Sequence, residues 1–102
     1  MENFGYVMAT KMLVEERRKV RFMYREEGSG DDSGWRFFCG TEEQDYVDNP
    51  DNIKIYNIDT ILDIDKSISP YLSSVIGTAY EREADYDIFR KSQDFDFGAE
   101  EV

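Results

Sequence analysis

The sequence predicts one α+β domain, a small and mainly antiparallel sheet with two or three short helices. Three observations predict it. The chain has 102 residues, the size of a single domain. Apolar residues make up 40% of it and aromatic ones 15%, enough for a core even with 34% charge. Strand-like segments outnumber helical ones and follow each other without long helices between them, which favours antiparallel pairing. The domain is expected over residues 1–91, followed by a mobile acidic tail at 92–102.

Residues 5–9 form a short apolar strand. Residues 10–18 are open between helix and coil: Thr10 can cap a helical turn, and Glu15 stands four residues before Lys19. Over residues 19–25, Val20, Phe22 and Tyr24 alternate with Lys19, Arg21 and Arg25. Such period-two alternation predicts a half-buried strand with a basic outer face. Met23 is the one apolar residue on that outer face. Residues 26–34 make a polar loop with three glycines, longer than a usual hairpin connection. In the strand that follows, Trp35, Phe37 and Cys39 share a face.

Thr41 and Gln44 have capping-box spacing, so a helix is expected from about residue 40, with Glu42 and Glu43 in its first turn. Asn49-Pro50 stops it. Residues 53–56 are a short strand. Asn57 caps a second helix in which Ile58, Ile61, Leu62 and Asp65 recur at helical spacing. Ser69-Pro70 opens one further turn over residues 70–73. Residues 75–80 read as a strand, with Gly77 marking a bulge or a close backbone approach. A turn at 83–85 leads to a last strand at 86–91, and Phe95 and Phe97 of the tail have the bulk to dock on the domain.

Composition narrows the chemistry. The absence of histidine removes the commonest general base, the commonest zinc ligand and every nucleophile–histidine pair. A single cysteine forms no internal disulfide and suits a reducing compartment. No apolar run reaches the ~18–20 residues of a membrane span, and no leader or lipidation motif is visible. The expectation is a cytoplasmic protein with no membrane partner.

The net charge is −11, and it is uneven. Residues 1–25 hold six bases and three acids, a net of +3, whereas the remainder carries −14. Such a surface repels nucleic acid and attracts a basic partner, although acids also simply keep a small protein soluble.

Several constellations could carry function. Asp45, Asp48 and Asp51 lie three apart, and Asp59, Asp63 and Asp65 lie close together. Paired carboxylates can act as acid and base or hold a divalent cation, but neither group has the EF-hand pattern, and solvated faces explain both. No metal or cofactor is expected. Gly28-Ser29-Gly30 lacks the Gly-Lys-Ser/Thr of a phosphate loop and has acidic neighbours, while Asp31 and Asp32 could face a cationic partner. Cys39 is an inert core residue unless a helix opening at Gly40-Thr41 activates it. Trp35 and Arg36 belong to the residue types of interface hot spots, yet Trp35 also suits a core and Arg36 an internal ion pair. Lys19, Arg21 and Arg25 beside Tyr24 could make a basic, aromatic stripe for nucleic acid, a reading that the excess of acids disfavours.

Residues 19–27 (KVRFMYREE) and 32–38 (DSGWRFF), followed by Asn49-Pro50-Asp51-Asn52, Ile55-Tyr56, residues 68–72 (ISPYL) and residues 77–82 (GTAYER), resemble a bacterial family. It was first catalogued as a domain of unknown function and then placed as number thirty-three among the predicted immunity proteins of polymorphic toxin systems. The resemblance covers roughly residues 5–90. It departs at Cys39, where the family prefers Ser or Ala, and in the acidic tail. The resemblance implies an α+β domain that neutralises a cognate toxin by binding it, with no catalytic residues to carry over.

The expected function is therefore a non-enzymatic, acidic immunity protein whose partner is a basic protein, with nuclease toxins among the candidates. The residues expected to contact it are Asp31, Asp32, Trp35, Arg36, Glu42, Glu43, Asp45, Tyr46, Asp48 and Asp51, with Arg36 or Tyr46 as anchor. The alternatives are a carboxylate- or metal-dependent enzyme with converging acids, and a module that self-associates through a sheet edge. The sequence leaves the oligomeric state open.

Overall fold

The computed structural model describes residues 5–28, 30–83 and 88–91. Six strands form one mixed sheet: β1 (Tyr6–Thr10), β2 (Phe22–Arg25), β3 (Asp32–Phe38), β4 (Ile53–Asn57), β5 (Ala79–Glu81) and β6 (Arg90–Lys91), in the order β4-β1-β3-β2-β5-β6. Three short α-helices, α1 (Lys11–Glu15), α2 (Gln44–Asp48) and α3 (Ile58–Ile64), and 3₁₀ turns at Pro50–Asn52 and Lys66–Tyr71 complete the described residues. The class is α+β and the sheet is mostly antiparallel, but it is larger than expected and carries more helical elements. Strand β1 also runs parallel to β3, with Met8 opposite Arg36 and Ala9 opposite Phe37.

The register decides which side chains reach the core. Val7 and Ala9 of β1, Met23 of β2 and Trp35 and Phe37 of β3 share one sheet face and are all buried. They pack with Leu13, Ile58, Ile61, Ile64, Ile68 and Leu72 from the helices and the second 3₁₀ turn. Each buried Val, Leu, Ile, Met or Phe side chain among them contributes about 1.5–3 kcal/mol of hydrophobic stabilisation. Trp35 is 0% exposed, stacks on Phe37 and donates its indole N–H to the Leu72 carbonyl at 3.0 Å. Cys39 is buried too.

Local chemistry explains the helix boundaries. Thr10 caps α1 by accepting the Leu13 N–H, and Asn57 caps α3 by accepting the Asp59 N–H, as expected. The box expected at Thr41 and Gln44 is not formed: α2 begins at Gln44, and its N-cap, Glu43, makes no side-chain bond. Glu42 instead turns back onto Cys39 and Gly40. The 3₁₀ turn expected to open at Pro70 opens at Lys66, because the Asp65 carboxylate accepts the Ser67 N–H.

Two strand expectations are corrected. Residues 19–21 are outside β2, and Val20 is buried in the same core as Met23, its N–H held by Asp65 and its carbonyl by Arg82. The alternation is thereby broken. Met23 faces the core, and Phe22 and Tyr24 lie on the opposite sheet face. Arg25, paired opposite Trp35, sits over the indole ring and donates to the Ser33 and Ser74 carbonyls. The strand expected at 75–80 is limited to Ala79–Glu81, leaving Val75 and Ile76 exposed. Of the last strand, Arg90–Lys91 pairs with β5, whereas residues 84–87 and the tail with Phe95 and Phe97 lie outside the described residues.

Asp65 and Arg82 close the fold. Their ion pair measures 2.6 Å with side-chain exposures of 4% and 2%. Arg82 also donates to the Ser67 hydroxyl and lies 4.1 Å from the Phe89 ring centroid. No helix among the described residues is long and apolar enough to cross a membrane.

Candidate functional site

The β3 signature is built around a glycine. Gly34 has φ +94°, and a Cβ there would stand 1.8 Å from the Glu26 carbonyl oxygen, so no side chain fits. The Gly34 N–H donates to Asp32 Oδ1. That bond orients Asp32 to receive Arg36 through two bonds of 2.9 Å, while Arg36 Nε donates to Glu26 at 2.7 Å. Such a two-point guanidinium–carboxylate fit is strong and directional. The Arg36 guanidinium holds Asp32 below its ordinary pKa. Burial alone would lower the pKa of Arg36, but its bonds to Asp32 and Glu26 outweigh that and raise it. Arg36 is thus an internal brace on the sheet face opposite the core, with a side chain only 9% exposed.

That face is open and aromatic. Tyr24 and Phe38 stack with centroids 5.9 Å apart, and Phe22 lies 5.9 Å from each. All three are half-buried. Burial, with Glu26 nearby, pushes the Tyr24 hydroxyl pKa up. Together with Gly40, Glu42, Gln44 and Val47 these rings line a groove of about 380 Å³, so α2 forms one wall. Further along the same face stand Met8 and exposed Ile55, opposite one another in β1 and β4.

Glu42 fixes the rim. Its carboxylate accepts from the Thr10 hydroxyl at 2.6 Å and from the Cys39 and Gly40 N–H groups at 2.9 Å. Burial alone would raise its pKa, but these bonds outweigh it and hold the carboxyl below its ordinary range. Tyr46 ties α2 to α1 by accepting the Met12 N–H. Beyond them, Glu43, Asp45, Asp48 and Asp51 are exposed around α2 and the turn after it. Asp48 accepts from Gln44.

The expected contact residues therefore divide. Glu43, Asp45, Asp48, Asp51 and Asp31 are at the surface. Glu42, Tyr46, Asp32 and Arg36 are engaged internally, so Arg36 and Tyr46 brace the fold where an anchor was expected. Trp35 is corrected outright: it is buried in the core and offers no surface. The second acid group also separates, since Asp63 pairs with Arg17 at the surface while Asp65 is buried against Arg82. Among the described residues no three acidic or cysteine side chains are grouped to hold a metal. The Cys39 thiol is pushed up in pKa by burial, and no helix starts beside it to counter that.

Sequence reasoning missed the aromatic triad. Its signal was present: apolar residues stand at both parities in Phe22-Met23-Tyr24 and Phe37-Phe38, a pattern of strands with apolar side chains on both faces. The basic stripe is also redrawn. Arg25 leaves it, and Arg17 and Arg18 join Lys19 and Arg21 around a second cavity, with Cys39 and Thr41 completing its lining.

No curated protein and no solved structure matches the chain. A family model does, the Immunity protein Imm33 domain, over residues 7–93. That span takes in the sheet from Val7 of β1 through β6, the braced Arg36 and the Asp65–Arg82 pair, and the chain belongs to the Imm33 immunity-protein family.

Proposed function

We propose that this protein acts without catalysis, in the cytoplasm, by binding and neutralising a basic toxin of a polymorphic toxin system, a nuclease being the best-fitting class. The open aromatic face carries this reading. Phe22, Tyr24 and Phe38 present a shallow apolar groove, one wall of which is a helix bordered by exposed carboxylates. An apolar centre within a charged rim is the anatomy of a protein interface. Aromatic faces beside carboxylates suit lysine and arginine side chains. The net charge of −11 would speed encounter with a cationic partner and repel nucleic acid that competes for it.

The test is capture of the cognate toxin from the native host by the intact chain, followed by titration of that complex against salt. The expected result is a basic protein whose affinity falls steeply as ionic strength rises. A neutral or acidic partner bound independently of salt would overturn the electrostatic reading.

A further inference from the structure

The second cavity has the opposite character. It is a half-open hollow of about 360 Å³ lined by Arg17, Arg18, Lys19, Arg21, Cys39 and Thr41. Among the described residues, four of the six that line it are cationic and none is a carboxylate, in a protein of net charge −11. The chain brings them together at the turn after α1, where Arg17 adopts φ +51°, a left-handed conformation uncommon outside glycine. The cations are held at the margins. Arg17 pairs with Asp63 at 3.0 Å and Arg18 with Glu16 at 2.7 Å, both pairs well exposed. Lys19 donates to the Ile64 carbonyl and Arg21 to the Glu83 carbonyl. The Thr41 hydroxyl, within 3.4 Å of Arg18, adds a neutral polar group.

We infer that this cavity binds the phosphate group of a small phosphorylated molecule of about mononucleotide size. Guanidinium forks match phosphate oxygens in geometry as well as charge, and three of the four cations are arginines. Exposed ion pairs such as Arg17–Asp63 and Arg18–Glu16 are weak and give way readily to a dianion. The volume lies in the range of small-ligand sites. The acids elsewhere select for size: an extended polyanion or an acidic polypeptide would run from this cavity onto a surface of like charge, whereas a compact phosphate would not.

The full chain, without toxin, is titrated with inorganic phosphate and separately with adenosine monophosphate at fixed ionic strength, and amide shifts are followed by NMR. The expected result is saturable shifts confined to residues 17–21 and 39–41. Affinity should weaken at least about tenfold in the double variant Arg17→Gln, Arg18→Gln, and stay unchanged in Lys54→Gln, Lys91→Gln, which removes exposed cations elsewhere. Tighter binding of adenosine monophosphate than of inorganic phosphate is expected and places the rest of the ligand in the cavity as well, whereas equal binding would overturn the mononucleotide size and leave a site for phosphate alone. Absence of saturation to about 10 mM, equal weakening by both double variants, or tighter binding of polyglutamate or a ribo-oligonucleotide would overturn it. Thermal midpoints of the variants, expected to match the parent, separate lost binding from lost fold.

Discussion

Asp65 and Arg82, seventeen residues apart, meet at 2.6 Å in the protein interior. Each oxygen of Asp65 is used, Oδ2 by Arg82 and the Val20 N–H, Oδ1 by Ser67. The pair thus joins the turn after α3, the segment before β2 and the chain leaving β5. Asp65→Asn keeps the volume and removes the charge, leaving a guanidinium buried without its counter-ion. The expected loss is about 3–5 kcal/mol of stability, read as a lower urea midpoint. A loss under ~1 kcal/mol would show that the pair is not a closing contact.

Trp35 is the only tryptophan and reports on the core. Its emission should be blue-shifted in the native protein and move to the red in one cooperative step on unfolding. Trp35→Phe removes the bond to Leu72 and leaves that carbonyl unpaired, at a cost of about 1–3 kcal/mol. Red native emission would contradict the burial.

Two carboxyls bind their protons less tightly in the folded chain: Asp32, held by Arg36, and Glu42, held by Thr10 and two backbone N–H groups. A depressed folded pKa means that the unfolded chain takes up protons first. Their stabilisation is complete above the ordinary values of 3.8 and 4.5 and drains away as pH falls through them to the lower folded values. Urea midpoints should therefore hold from neutrality to about pH 5 and then fall. Glu42→Gln should lower the plateau and flatten that acid limb, and an unchanged limb would remove Glu42 from the account.

Tyr24→Ala and Phe38→Ala truncate the groove on the face away from the core. If the groove receives the toxin, each should weaken its binding by about 2 kcal/mol or more, roughly thirtyfold, measured by calorimetry with the cognate toxin. Asp45→Asn with Asp48→Asn should change mainly the association rate and its salt dependence. Full affinity in the groove variants would move the interface elsewhere.

The local grammar of the chain was legible where side chain and backbone negotiate over a few residues. Asn57 announces its helix, Thr10 offers a cap in a segment otherwise open between helix and coil, Pro50 ends α2, and Trp35, Phe37 and Cys39 alternate into the core as the period requires. Long-range competition was not legible. Glu42 abandons the first turn of a helix because Thr10, thirty-two residues away, and two nearby N–H groups offer it better bonds. Val20 leaves the β2 alternation because Asp65 and Arg82 capture its backbone. Period two places Phe22 and Tyr24 together, but both parities are apolar, so only the pairing of Met23 with Phe37 decides which parity meets the core. The parallel run of β1 beside β3 has no local signature.

Residues 39–42, between β3 and α2, contribute to both hollows. Cys39 and Thr41 line the cationic hollow, while Gly40 and Glu42 line the aromatic one. A displacement of this segment would alter the lining of both hollows. If filling one alters the readiness of the other to be filled, thermodynamics requires that the influence run equally in both directions. A metabolite and a toxin would then be able to sense each other without touching.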